Sequence, residues 1–147
     1  MSTPRVAIIG YGLAGRTFHS NLLKGAGFEI AAVMLASENR NEQFLSDFPQ
    51  AVVVSTVKEI IALRPDLVVV ASPNSFHAPQ AIELLKAKIP VVVDKPMALN
   101  AKETQEMMDV SESEGVPVTV FFNRRWDSDA LTIKKIIAEG ILGNIFR

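Results

Sequence analysis

An α/β fold built on a doubly wound parallel sheet is predicted by three observations. Short apolar runs alternate with longer amphipathic segments along the whole chain. The runs are rich in Val and Ile and mostly unbroken by polar residues, as strands buried on both faces read when helices cover a parallel sheet. A glycine turn joins the first run to the first amphipathic segment.

The runs are Val6–Gly10, Phe28–Met34, Ala51–Val54, Leu67–Ala71, Val91–Val93 and Val116–Phe122. Between them the pattern predicts helices. The first, from Gly15 to about Lys24, places Phe18, Leu22 and Leu23 on one apolar face. Asn41–Asp47, Thr56–Leu63, Ser75–Ala87 and Ala101–Glu114 follow. Asn100 with Glu103 forms a capping-box pattern, and Ser75 is placed to cap the helix it opens. Pro65, Pro73, Pro90, Pro96 and Pro117 all fall at or near junctions, where a missing N–H is tolerated. The order strand, helix, strand implies right-handed crossovers. Asp127–Glu139 is predicted as a last helix, broken by Gly140 and Gly143. Asn144–Arg147 is expected to open a further strand, as at the start of another element of a longer protein.

Composition narrows the function. The chain has 147 residues, 48% of them hydrophobic, enough for a full core and too many for disorder. Fifteen Lys and Arg face sixteen Asp and Glu, so no electrostatic footprint for nucleic acid or an anionic membrane is expected. With no cysteine, a disulfide framework and a thiolate zinc site are excluded, and no metal site is expected. No stretch reaches the roughly 18 apolar residues that span a bilayer, and the N-terminus lacks the pattern of a signal peptide. A cytoplasmic, soluble protein is expected.

Val6–Gly15 reads as a strand followed by G-x-G-x-x-G, the dinucleotide-binding form of the Rossmann fold. Gly10 permits the tight turn off the strand. Gly12 lets a pyrophosphate approach the backbone, and Gly15 lets the helix pack closely. With Leu13 and Ala14, these residues present N–H groups at the positive end of a helix. The competing reading is a structural turn without a ligand. An acidic residue ending the second strand would hold the NAD ribose, but that position falls at or near Leu35, which cannot accept hydrogen bonds. Ser37 and Arg40 suit a 2′-phosphate, which favours NADP over NAD. In the alternative, Arg40 is solvated and Glu38 swings back to the ribose.

Other users of the fold fit poorly. The only tyrosine, Tyr11, lies in the glycine turn, so the Tyr and i+4 Lys of short-chain dehydrogenases are absent. A hydroxyacid dehydrogenase would want a His–Asp pair, and the only histidines are His19 and His77. His19 is read as a surface position of the first helix. Val92-Val93-Asp94-Lys95-Pro96 ends the fifth run. Here the sequence resembles the glucose–fructose oxidoreductase, inositol dehydrogenase and rhizopine-catabolism family (Gfo/Idh/MocA), whose members carry Glu-Lys-Pro; Asp94 stands in place of the Glu. The glycine turn, Ser72-Pro73-Asn74-Ser75-Phe76-His77 and Phe121-Phe122-Asn123-Arg124-Arg125-Trp126-Asp127 are similar too. The run Asn123–Asp129 resembles a subgroup that includes NADP-dependent scyllo-inositol dehydrogenases.

The resemblance implies a NAD(P)-dependent oxidoreductase acting on a CH–OH group of a sugar or polyol. It implies Lys95 as the catalytic residue, exchanging a proton with the substrate while hydride moves to or from the nicotinamide. A lysine on a buried strand end, its charge disfavoured by desolvation, suits that role. Asn74 would lie near the cofactor ribose, with Ser72 and Pro73 shaping that loop. His77, Asp94, Pro96, Asn123, Arg124 and Trp126 would complete the cofactor site, with Lys95–Pro96 in the cis form. Each has a plainer reading: Asn74 as a turn residue, His77 as structural or on the surface, Arg125 paired with Asp127 or Asp129, Trp126 packed between domains. Residues 1–122 would form the nucleotide-binding domain. Residues 123–147 would form a connecting helix and the start of a second, α+β domain that is absent from this chain. In the family that domain supplies most substrate contacts and the homo-oligomer interface, so this chain alone is expected to turn over poorly. A cofactor-sensing module on the same scaffold is the alternative; it has no need of Lys95.

Overall fold

The computed structural model describes residues 3–35 and 41–146. Six strands form one parallel sheet in the order β3-β2-β1-β4-β5-β6. They are β1 (Arg5–Ile9), β2 (Glu29–Met34), β3 (Val52–Val54), β4 (Leu67–Val70), β5 (Val91–Val93) and β6 (Val118–Val120). Helices α1 (Ala14–His19 continued by Ser20–Gly25), α2 (Asn41–Asp47), α3 (Val57–Ala62), α4 (His77–Lys86) and α5 (Ala101–Glu114) connect them; α6 (Ser128–Ala138) follows β6. This is the doubly wound order, with its switch point between β1 and β4.

The pleat divides the core in two. Ala7, Ile9, Val68, Val70, Val91 and Val93 pack against Ile60 of α3, Leu84 of α4 and Met107 of α5. Their neighbours Val6, Ile8, Val33 and Val69 face the opposite layer, with Tyr11 and Phe44 of α2. Successive side chains point to opposite faces, so a strand apolar throughout serves both layers. The edge strands β3 and β6 are only half-buried.

Three local expectations fail for identifiable reasons. The first helix does not bury Phe18 and Leu22, which are exposed; it buries Gly15, His19 and Ser20. Over Ala14–His19 it is π-wound, the Ser20 N–H reaching back five residues to the Gly15 carbonyl, which turns a different face to the sheet. Ser75 does not cap α4. It lies in a 3₁₀ turn, Asn74–Phe76, where the Phe76 N–H donates to the Pro73 carbonyl at 2.9 Å. Residues 144–146 form no strand; the backbone beyond α6 makes turns and irregular structure.

The cap at α5 forms, with the return bond of the box displaced by one residue. The Asn100 Oδ1 accepts from the Glu103 N–H at 3.0 Å, while the Glu103 carboxylate takes the Leu99 N–H at 3.1 Å. The same arrangement recurs at α3 through Thr56, Glu59 and the Ser55 N–H.

Candidate active site

The site lies at the carboxyl edge of the sheet, where open α/β sheets bind ligands. From β2 to β6 that edge crosses four strand spacings, roughly 19 Å. At its centre Gly10 leaves β1 with φ +94°, and its N–H donates to the Met34 carbonyl at 2.9 Å. A Cβ on Gly10 would stand 2.6 Å from the Ala71 carbonyl oxygen. A Cβ on Gly15 would collide with the Gly10 carbonyl oxygen. Both glycines are thus required by close approach. No side chain caps the N-terminus of α1 at Leu13, the end of a helix that suits an anion. Leu13 is exposed, and Gly12 and Ala14 are half-buried. Beside the turn opens a cavity of about 510 Å³, lined among others by Gly10, Gly12, Leu35, Ser72, Pro73 and Phe76.

Leu35 is buried and its N–H donates to the Val54 carbonyl at 3.2 Å, so the end of β2 offers no acidic acceptor at that position. Ser37, Glu38 and Arg40 lie outside the described residues. Tyr11 stands out in the sequence only by its place in the turn. Its ring is buried edge-on against Phe44 at 4.9 Å, and its hydroxyl donates to the Asp47 Oδ2 at 2.8 Å. The phenol is pushed up to about 12 by burial and by Asp47. It fastens α2 to the glycine turn.

Next along the edge, Ser72, Pro73 and Asn74 follow β4. Ser72 is half-buried, and its Oγ donates to the Gln80 Oε1 at 2.6 Å; Pro73 and Asn74 are exposed. His77 departs from its expected contact with cofactor. Its side chain is 1% exposed, with Nδ1 2.8 Å from the Pro96 carbonyl and Nε2 2.8 Å from the Ser72 carbonyl. Neither ring nitrogen is left to face a ligand.

The turn after β5 carries Asp94, Lys95 and Pro96, with Lys95–Pro96 in the cis form. Lys95 is exposed, not buried. Among the described residues nothing covers the strand end above it. His19 also departs from expectation. It is 3% exposed, its ring is 4.5 Å from that of Phe121, and its Nε2 lies 3.6 Å from the Asp94 Oδ1 without a hydrogen-bond partner among the described residues. Burial lowers its pKa, and Asp94 opposes that only in part.

After β6, Asn123–Trp126 form a 3₁₀ turn. Asn123, Arg125 and Trp126 help line a separate cavity of about 320 Å³ at the ends of β5 and β6. Arg124, not Arg125, takes Asp127, at 2.7 Å, and that bond raises the guanidinium pKa. Trp126 is 75% exposed. The edge thus gathers the glycine turn, the Ser72 loop and the lysine turn, with the Asn123 turn alongside. Among the described residues no cluster of metal-ligating side chains occurs, and no helix is long and apolar enough to cross a membrane.

A parallel sheet in this order, with an uncapped βα turn at its switch point that admits no side chain at Gly10 or Gly15, has the form of a dinucleotide-binding domain. The family described as oxidoreductase family, NAD-binding Rossmann fold (Gfo/Idh/MocA), matches residues 4–122, and the chain belongs to it. The chain is 41% identical over 143 residues to the uncharacterized oxidoreductase YdgJ of Escherichia coli, covering 96% of this chain and 40% of that protein. It is 38% identical over 147 residues to scyllo-inositol 2-dehydrogenase (NADP(+)) IolW of Bacillus subtilis, covering 99% and 40%. The crystal structure of myo-inositol 2-dehydrogenase from Lactobacillus plantarum superposes with a TM-score of 0.90 at 26% identity, over 99% of this chain and 44% of that one. The chain therefore spans about 40% of the length of the curated relatives it matches.

Proposed function

We infer that this chain is the nucleotide-binding part of an NADP-dependent dehydrogenase that reversibly oxidises a CH–OH group of a sugar or polyol such as an inositol. The observation that carries the reading is the βα turn at the switch point. Side chains are excluded at Gly10 and Gly15, and the first N–H groups of α1 are uncapped, beside a cavity of about 510 Å³. That cradle fits a pyrophosphate.

In this reading Gly10–Gly15 hold the phosphates, Ser72, Pro73 and Asn74 border the adjoining ribose, and the Asp94–Pro96 and Asn123–Trp126 turns border the nicotinamide end. The nicotinamide, when bound, supplies the acceptor or donor of hydride. Lys95 exchanges the proton of the substrate hydroxyl at its Nζ. Asp94 orients the lysine turn from its place beside His19. NADP is favoured because Leu35 offers no carboxylate to the ribose hydroxyls, with Ser37 and Arg40 as the 2′-phosphate ligands. The NADP(+)-linked relative in Bacillus subtilis supports the same choice.

In this reading a second domain supplies most substrate contacts and a homo-oligomer interface. Residues 1–122 then form the nucleotide domain and residues 123–147 open the second. The 147-residue chain is therefore expected to bind nucleotide but turn over substrate poorly, in a cytoplasmic setting and without nucleic-acid or membrane partners. Fluorescence titration tests the first half: NADPH should bind more tightly than NADH, and tighter NADH overturns the assignment of Ser37 and Arg40. Lys95→Met in a protein that also carries the second domain tests the rest. Hydride transfer should be lost with nucleotide affinity unchanged, whereas undiminished activity refutes the role of Lys95.

A further inference from the structure

Past the last rung of the β4–β5 ladder the chain separates into two loops. The Asp94 N–H donates to the Val70 carbonyl at 2.8 Å. Beyond it, among the described residues, no backbone hydrogen bond joins the Ser72–Phe76 loop to the Lys95–Asn100 turn. The connection is made instead by one side chain. His77, the first residue of α4, is buried and lies 2.8 Å from a carbonyl of each loop: Nδ1 from Pro96, Nε2 from Ser72.

We propose that His77 is a positioning residue: its imidazole joins the loop after β4 to the lysine-bearing turn after β5, and so sets where Lys95 stands relative to the bound cofactor. This rests on the assignment of Lys95 above. Both partners are carbonyl oxygens, which only accept, and a neutral ring carries one hydrogen, so the bond to Pro96 forms with that hydrogen on Nδ1. The Ser72 loop is itself anchored, because its Oγ donates to Gln80 one turn further along α4. The tie therefore runs from α4 and the Ser72 loop, as a fixed base, to Pro96. The residue carried on the far side of that tie is Lys95.

Two substitutions separate the halves. The amide nitrogen of Asn reaches about as far as Nδ1, so His77→Asn keeps a donor for Pro96. The amide of Gln reaches about as far as Nε2, so His77→Gln keeps a donor for Ser72 and loses Pro96. The 147-residue chain is labelled with an amine-directed acylating reagent, with and without NADPH, and labelling of each lysine is read by peptide mass spectrometry. Lys86 and Lys102 are internal references. NADPH is expected to protect Lys95 in the wild-type chain and equally in His77→Asn. In His77→Gln the protection should fall by about fivefold, the equilibrium weight of one ordinary hydrogen bond, with NADPH affinity unchanged. A role in stability alone would lower the melting points without separating Asn from Gln in this way.

Equal protection in all three chains overturns the proposal and leaves Lys95 its role. Absence of protection in the wild-type chain overturns the assignment of Lys95, and the proposal with it. A second reading needs no variant: a ring N–H signal of His77 that exchanges slowly with water and shows nuclear Overhauser contact to Pro96. A ring in fast exchange overturns the tie.

Discussion

At the level of single residues, the glycine turn leaves little latitude. Gly15→Ala would drive a methyl into the Gly10 carbonyl oxygen, a backbone atom that cannot rotate away. A loss of about 1–3 kcal/mol is expected from that overpacking, read in urea denaturation, together with weakened NADPH binding in a titration. His19 carries a pH dependence. Its pKa is lowered from 6.5 by burial, so the unfolded chain takes up a proton more readily than the folded one. The stability it contributes is complete above about pH 6.5, and is lost as the pH falls through the lowered folded value. His19→Gln should flatten this acid limb: the urea midpoint should drop less between pH 7.5 and 5 than in the wild-type chain. A drop of the same size would show that the limb belongs to other groups. Gly10 and Gly15 are legible in the sequence because each answers a local backbone demand. Sequence reading misplaces His19 because burial of a helical residue depends on winding, which no residue type announces.

At the level of elements, the legible features were those whose physics is short-range. The apolar runs became strands because only a covered parallel sheet accepts Val and Ile on both faces. The Asn100–Glu103 spacing became a helix start because both side chains act within one turn. Asn100→Ala should therefore cost about 1 kcal/mol and lower the melting temperature by a few degrees, measured by circular dichroism, with nucleotide affinity intact. An unchanged melting temperature would mean that the Asn100 cap contributes nothing to stability. The π-wound start of α1 was not legible. A periodicity of 3.6 assigns Phe18 and Leu22 to the core, whereas the wider winding presents His19 and Ser20. Ser75 does not cap because the His77 N–H, which a cap there would take, already goes to the Asn74 carbonyl within the 3₁₀ turn. The motif places His77 at the cofactor site, and the plainer reading makes it structural or a surface residue. Its actual partners, two carbonyls from different loops, come together only in the folded sheet.

At the level of the whole molecule, the doubly wound parallel sheet is legible in the alternation of apolar runs and amphipathic segments, and the family in four motifs that the fold collects on one edge. What lay beyond sequence was the burial of the site. Lys95 is exposed because covering a strand end is a property of whatever packs over it, not of the lysine or its neighbours. The same holds for α6 and the turns after it. Leu131, Ile133, Ile137, Ile141, Leu142, Ile145 and Phe146 are all exposed. Handled by itself, a chain with so much uncovered hydrocarbon near one end should behave as a sticky particle. Its sedimentation coefficient is expected to climb with concentration, and Ile137→Lys with Ile141→Lys should hold it to the monomer value. In a living cell the same surface would mark the chain for chaperone capture and degradation.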